Sequence, residues 1–302
     1  MSELSVINPV SPQAVAIPAA VFAMTKQGHP AAQVGDLAWL AIPTKYGLRM
    51  ASAWRLRKPI ADWTPSDFSG ADGFVQDEAA FRAHVEDIAQ HKRELLSLPR
   101  PETGMRVSTP WGTSQQSYHY ADGILCHSTA GHGGFHLSAD CNAQVHTMLR
   151  NDDSWYEEDG EWAKVAFTFP ALFTAYERRH ADQSLRNDYP DAWEHLHGLT
   201  IQPGESRTKD ERQFHMDHQA DWIVVSAITS RLHPGFVECI AKLGGAAQGS
   251  GDPQDRWKGC GGGNRVLKDV RQYLVPSGEY QAGRFGFVID EARHAPFVTQ
   301  AA

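Results

Sequence analysis

An α+β fold is the class this sequence predicts, with antiparallel strands, helices clustered in the middle region and a small C-terminal sheet. Three observations lead there. Strand-length apolar runs and helical patterns come in separate clusters rather than in strict alternation, which argues against a doubly wound parallel sheet. Short turns rich in Pro, Gly and Asp join the strand-like runs, as hairpins require. No internal repeat occurs at solenoid or propeller periods.

Taken in order, residues 1–33 are rich in Pro and Ala without a sustained period and read as a loosely ordered leader. Residues 34–104 read as an N-terminal α+β region. In it Leu37 to Ile42 and Leu48 to Trp54 are strands joined by a turn at 43–47, and Asp77 opens a helix through Leu96. Phe81, Val85, Ile88, Leu95 and Leu96 mark that helix's apolar face, and Pro99 and Pro101 stop it. Residues 105–200 form a motif-bearing α+β domain. Pro110-Trp111-Gly112 punctuates a strand, Ser117 to Tyr120 and Ile124 to Thr129 are strands around a turn at 121–123, and the chain re-enters a strand at Phe135 to Leu137. Ser138 caps a helix expected to reach Leu149, and helices follow over 161–169, 171–185 and 190–198. Residues 201–302 read as a mainly β region with strands at 222–228, 236–243, 273–275 and 285–289. Eight glycines among the twenty residues 244–263 make that stretch a loop with no core of its own.

The chain of 302 residues is long enough to bury a sizeable core, and its 21% charged content is that of a globular protein. Its net charge of −8 is localised. Residues 101–200 hold 6 Lys/Arg against 14 Asp/Glu, whereas the flanking thirds balance. Such a region repels phosphate backbones, so nucleic acid is not its expected partner; a cationic partner or a metal suits it better. No run approaches the ~18 apolar residues of a membrane span, and no Lys or Arg precedes Lys26 to build a signal peptide. The cytoplasm is the expected location. Four cysteines, none in a C-x-x-C pair, supply neither a disulfide framework nor a four-cysteine zinc ribbon.

The richest stretch for chemistry runs from Ser128 to His136. Ser128 and Thr129 offer hydroxyls, His132 a titratable imidazole, and Gly131, Gly133 and Gly134 a backbone free to curl its N–H groups around an anion or carbonyl. His132-Gly133-Gly134 is similar to the oxyanion loop of esterases. Yet no G-x-S-x-G string accompanies it, and neither a Walker-type loop nor G-x-G-x-x-G occurs anywhere. Ligand types for zinc exist in Cys126, His132, His136 and Cys141, at spacings that match no established zinc motif. A second constellation runs from Trp155 to Trp162. Its carboxylates, Glu157 and Glu158 foremost, either open a helix or serve as acid, base or ligand against an aromatic wall.

Thr109-Pro110-Trp111-Gly112, Ser128 to Ser138 and Trp155 to Asp159 together resemble a family of bacterial, plasmid and phage proteins with TPWG, ST-x-x-HGG and WYEED motifs, a domain of unknown function. The resemblance covers residues 105–198, with a related arrangement at 220–226, 233–236 and 284–290. It places Thr109, Trp111, His132, Gly133, Gly134, Tyr156 and Glu157 in motif positions. It implies a bacterial or mobile-element setting and carries over no catalytic role.

Three functions compete. The first is a cytoplasmic binding or accessory protein of a mobile element, without cofactor, that acts through its acidic middle region on an unidentified protein or a small anionic ligand, with Gly131, Gly133, Gly134, Trp111 and Tyr156 as the candidate ligand-binding residues. The second is a hydrolase-like enzyme with His132 as acid/base, Ser128 or Thr129 orienting, and Glu157 or Glu158 as carboxylate partner. The third is a DNA-associated factor using Arg49, Arg55, Arg57 and Lys58.

Overall fold

The computed structural model describes residues 19–245, 270–294 and 296–297, and these hold fourteen strands and six α-helices in antiparallel sheets. The fold is therefore α+β. The chain divides into two units, residues 1–182 and 183–302.

In the first unit five strands pair in sequence order: β1 (Ala20–Met24), β2 (Pro30–Val34), β3 (Leu37–Thr44), β4 (Gly47–Trp54) and β5 (Gly70–Val75). Of the loose leader expected over 1–33, residues 1–18 lie outside the described residues, and residues 19–33 carry β1 and most of β2 instead. Ala31, Ala32 and Val34 are buried in β2, because small side chains there let apolar layers close on both faces of the sheet. Helix α1 (Glu78–Leu95) covers one face, with Phe81, Val85 and Ala89 packed on Val34, Trp39 and Met50. Asp77 caps it by accepting from Ala80 N–H at 2.8 Å. Leu96, expected on that apolar face, is exposed instead. Trp63 and Leu40 anchor the opposite face.

After the short hairpin β6 (Ser108–Thr109) and β7 (Gly112–Thr113) comes a second sheet. It orders β11 (Trp155–Glu157), β10 (Gly133–Leu137), β9 (Ile124–Ser128) and β8 (Gln116–Ala121). Two expectations fail here. Helix α2 is only Ala139–Asn142, since Arg150 Nη2 takes the carbonyls of Ala143 and Val145 that a longer helix would use. The acidic segment begins as a strand, β11, pairing Tyr156 with Phe135, and only then enters α3 (Trp162–Thr168). Helix α4 (Ala175–Asp188) follows, and the division between the units falls within it.

The second unit continues with α5 (Pro190–His197) and α6 (Arg207–Asp217). Helix α6 is an element the sequence-based expectation for this region does not include: it is polar nearly all round and starts where Ser206 Oγ accepts from Lys209 N–H at 3.3 Å. Strands β12 (Trp222–Thr229), β13 (Phe236–Leu243) and β14 (Val270–Pro276) form a sheet over Cys239, Ala241, Tyr273 and Val275. Residues 285–289 make an isolated bridge from Val288 to Ile223 rather than a strand. Most of the glycine-rich stretch, 246–263, lies outside the described residues. Among the described residues no helix is long and apolar enough to cross a membrane.

Candidate functional site

Three motifs far apart in the chain meet at one end of the second sheet. Thr109 Oγ1 donates to Gly112 O at 2.8 Å and accepts from Trp111 N–H at 3.1 Å, which tightens the hairpin turn. The turn lays the Trp111 indole on Gly134 in β10, where a Cβ would overlap both that ring and Tyr156 O. Trp111 meets Trp155 edge-on at 5.8 Å, and Trp155 packs against His136 at 4.4 Å and His127 at 5.5 Å. Buried His127 places Nδ1 2.7 Å from Ser117 Oγ, whose hydroxyl donates to Met105 O at 2.8 Å. With that hydrogen committed, His127 Nδ1 is the donor of the pair. Burial holds both His127 and His136 below the ordinary imidazole range, so this face of the sheet carries neutral rings.

The bend that follows β9 is closed by Thr129. Its Oγ1 donates to His132 O at 2.7 Å and accepts from His132 N–H at 3.2 Å and Gly131 N–H at 3.4 Å. None of Gly131, Gly133 and Gly134 has a positive φ. The expected anion nest is therefore not formed, because its N–H groups turn inward onto the threonine and the strand ladder. Gly133 and Gly134 are required for room: a Cβ on Gly133 would stand 2.5 Å from Glu158 Oε2 and 2.7 Å from His127 O.

The bend carries an exposed His132 against the end of β11. His132 Nδ1 lies 3.5 Å from Glu157 Oε1, and ligand atoms of His132, Glu157 and Glu158 fall within 4.8 Å of one another. Glu157 Oε2 accepts from Asp159 N–H at 2.6 Å. Its other oxygen, Oε1, is closed to solvent and has no hydrogen-bond donor among the described residues. Burial pushes the Glu157 carboxyl up, and the charges of Asp159 and Glu158 add to this against the Asp159 N–H and His132.

A buried polar network holds β11 from behind. Glu161 Oε2 accepts from Glu157 N–H at 3.1 Å, and its Oε1 accepts from Lys164 Nζ at 2.8 Å. Lys164 also donates to Asn151 Oδ1 at 2.9 Å, and Asn151 Nδ2 to Trp155 O at 2.6 Å. Tyr156 is wholly buried and donates to Asn142 Oδ1 at 2.5 Å. Each residue of β11 is thus tied to this network.

The sequence-derived candidates separate accordingly. His132, Glu157 and Glu158 come together, with Trp111 and Gly134 beside them. Thr129 closes the bend and Tyr156 is a core tether, so neither hydroxyl faces a ligand. Ser128 lies in β9 opposite Gly133 and Gln116. The zinc set is not assembled. Cys126 pairs with Phe135 whereas His136 pairs with Leu125, which puts the thiol and the imidazole on opposite faces. Cys141 Sγ turns to Asp122 O at 3.5 Å, and burial raises the Cys126 thiol to about 11. Ser117, Asn142, Asn151 and Lys164 were missed. For Lys164 a signal existed: one lysine inside an apolar helical run, three residues after a glutamate.

A family model for a domain of unknown function (DUF7007) matches residues 104–219. No curated protein and no solved structure matched the chain.

Proposed function

We propose that this chain is a cytoplasmic binding protein, an accessory of a bacterial mobile element, whose acidic middle region takes a positively charged ligand at the His132–Glu157–Glu158 corner. The observation that carries the reading is Glu157 Oε1, an acceptor closed to water and without a hydrogen-bond donor among the described residues, set beside a second carboxylate in the region that holds the chain's whole charge excess. Such an acceptor costs free energy that a cationic ligand would recover. An anionic ligand is disfavoured by the same two carboxylates. The mobile-element setting rests on the motif resemblance alone.

Affinity capture with wild type, His132→Ala and the Glu157→Gln/Glu158→Gln/Asp159→Asn triple variant tests this. Partners held by wild type should be lost from the triple variant. Capture unaffected by either set of changes overturns the reading.

A second reading, a hydrolase-like enzyme, is favoured by the 3.5 Å approach of His132 to Glu157, an acid/base pair with one exposed member. Thr129 drops out of it, leaving Ser128 as the orienting hydroxyl. Loss of ester or amide hydrolysis in His132→Ala would support it. A DNA role is served less well, since Arg55 pairs with Asp36 at 3.2 Å and Lys58 with Asp67 at 2.5 Å.

A further inference from the structure

The geometry points to a divalent metal ion as the ligand of this corner, bound by His132 Nδ1, Glu157 Oε1 and a Glu158 carboxylate oxygen, with at least one coordination position open to solvent. This rests on the reading that the corner takes a cation, and names which. One imidazole and two carboxylates are ligands for zinc or manganese, and three protein ligands leave room for water or a group from a partner. The donor set differs from the cysteine-bearing one that the sequence suggested, and all its members come from the two sides of the β10–β11 end.

Three independent features make the corner a cradle rather than a surface cluster of acids. Glu157 Oε1 is shut from solvent without a donor, facing His132 at 3.5 Å. Glu158 folds back over Gly133, a close approach that any side chain at 133 would block. The main chain of Glu157 is fixed from behind by Glu161 and the buried Lys164. The donors spread over at most 4.8 Å, wider than the roughly 3.3 Å edge that ~2.0 Å metal–ligand bonds imply. Exposed His132 and Glu158 would close that gap by side-chain rotation while Glu157 stays fixed. An organic ammonium would instead use the Trp111 ring as a wall, and the same experiment separates the two.

The test is calorimetric titration of the full chain with Zn²⁺ and, separately, Mn²⁺, alongside tetramethylammonium. Wild type should bind one equivalent of metal. Glu157→Gln and His132→Ala should each weaken it about tenfold or more, while Asp140→Asn, an exposed acid elsewhere in the middle region, should leave it unchanged. Circular dichroism melts confirm that each variant is folded. No metal binding, metal affinity unchanged in both site variants, or tetramethylammonium binding without metal binding would each overturn the assignment. Partner capture that survives chelation would leave the binding-protein reading standing without the metal. Metal binding with no acid-dependent partner would do the reverse.

Discussion

The β1–β5 sheet with α1 and the β8–β11 sheet with its motifs are built from similar antiparallel ladders and both bury apolar side chains, Ile124, Phe135 and Leu137 in the second, but they differ in what supports the edge strand β11. In the first, Phe81, Val85 and Ala89 press onto Val34, Trp39 and Met50, and the buried interior is hydrocarbon. In the second, the supports of β11 are Lys164, Glu161, Asn151 and Asn142, and the strand ends in an acceptor with no donor. An apolar interior needs only volume and pattern. A polar one needs every partner present, and the one that is missing is the observation on which the proposed cation site rests.

The sharpest break of this contrast pairs two truncations. Lys164→Ala should cost about 3–5 kcal/mol in urea unfolding, because it strands Glu161 as a buried unpaired charge. Phe81→Ala should cost a similar ~3–5 kcal/mol through cavity formation. The compensation differs: joint replacement of Glu161 and Lys164 by leucine and methionine should recover part of the loss by removing the stranded charge, less what Glu157 N–H and Asn151 Oδ1 lose as partners, whereas no single second change refills the Phe81 cavity. A full cost persisting in that double variant would show that the network is needed for more than neutrality.

Gly134→Ala comes next, at roughly 1–3 kcal/mol by overpacking, with loss of the Trp111 contact visible as a change in tryptophan fluorescence. An unchanged melting profile would place Trp111 elsewhere.

Two carboxylates extend the comparison to pH. Glu177 is half-buried like Glu157, and burial alone would raise its pKa. The Arg100 guanidinium, bonding both carboxylate oxygens at 2.8 Å, and Thr174 N–H together hold it below its ordinary 4.5. A depressed folded pKa contributes stability that is complete above the unfolded value and is lost as pH falls through the folded one. Wild type should therefore lose stability below about pH 4.5 more steeply than Glu177→Gln in acid-unfolding curves. Parallel curves would remove the pair from the account.

The smallest effect is expected at Gly131→Ala, within about 0.5 kcal/mol, since an added Cβ there meets nothing within 4 Å. A large cost would mean that the bend needs glycine for conformation after all.

Periodicity and turn chemistry made much of this fold legible. The β3–β4 hairpin, α1 with its Asp77 cap, and β8 to β10 follow from alternation and helical spacing. What misled was local polarity. Alanine-rich β2 looked unstructured because its burial comes from neighbouring strands, and the polar α6 lacks an apolar stripe. Acids after Trp155 looked like a helix start because their pairing with β10 lies across a gap of about twenty residues.

By itself, the sequence determined which residue types were present in each motif, where the negative charge concentrates, and that the glycines after His132 were unusual. Only the tertiary structure decided that Trp111 rests on Gly134, that Glu157 and Glu158 meet His132, and that Cys126 and His136 face apart. The physical reason is that strand register sets which side chains share a face. Register is a property of paired strands, so no single segment encodes it.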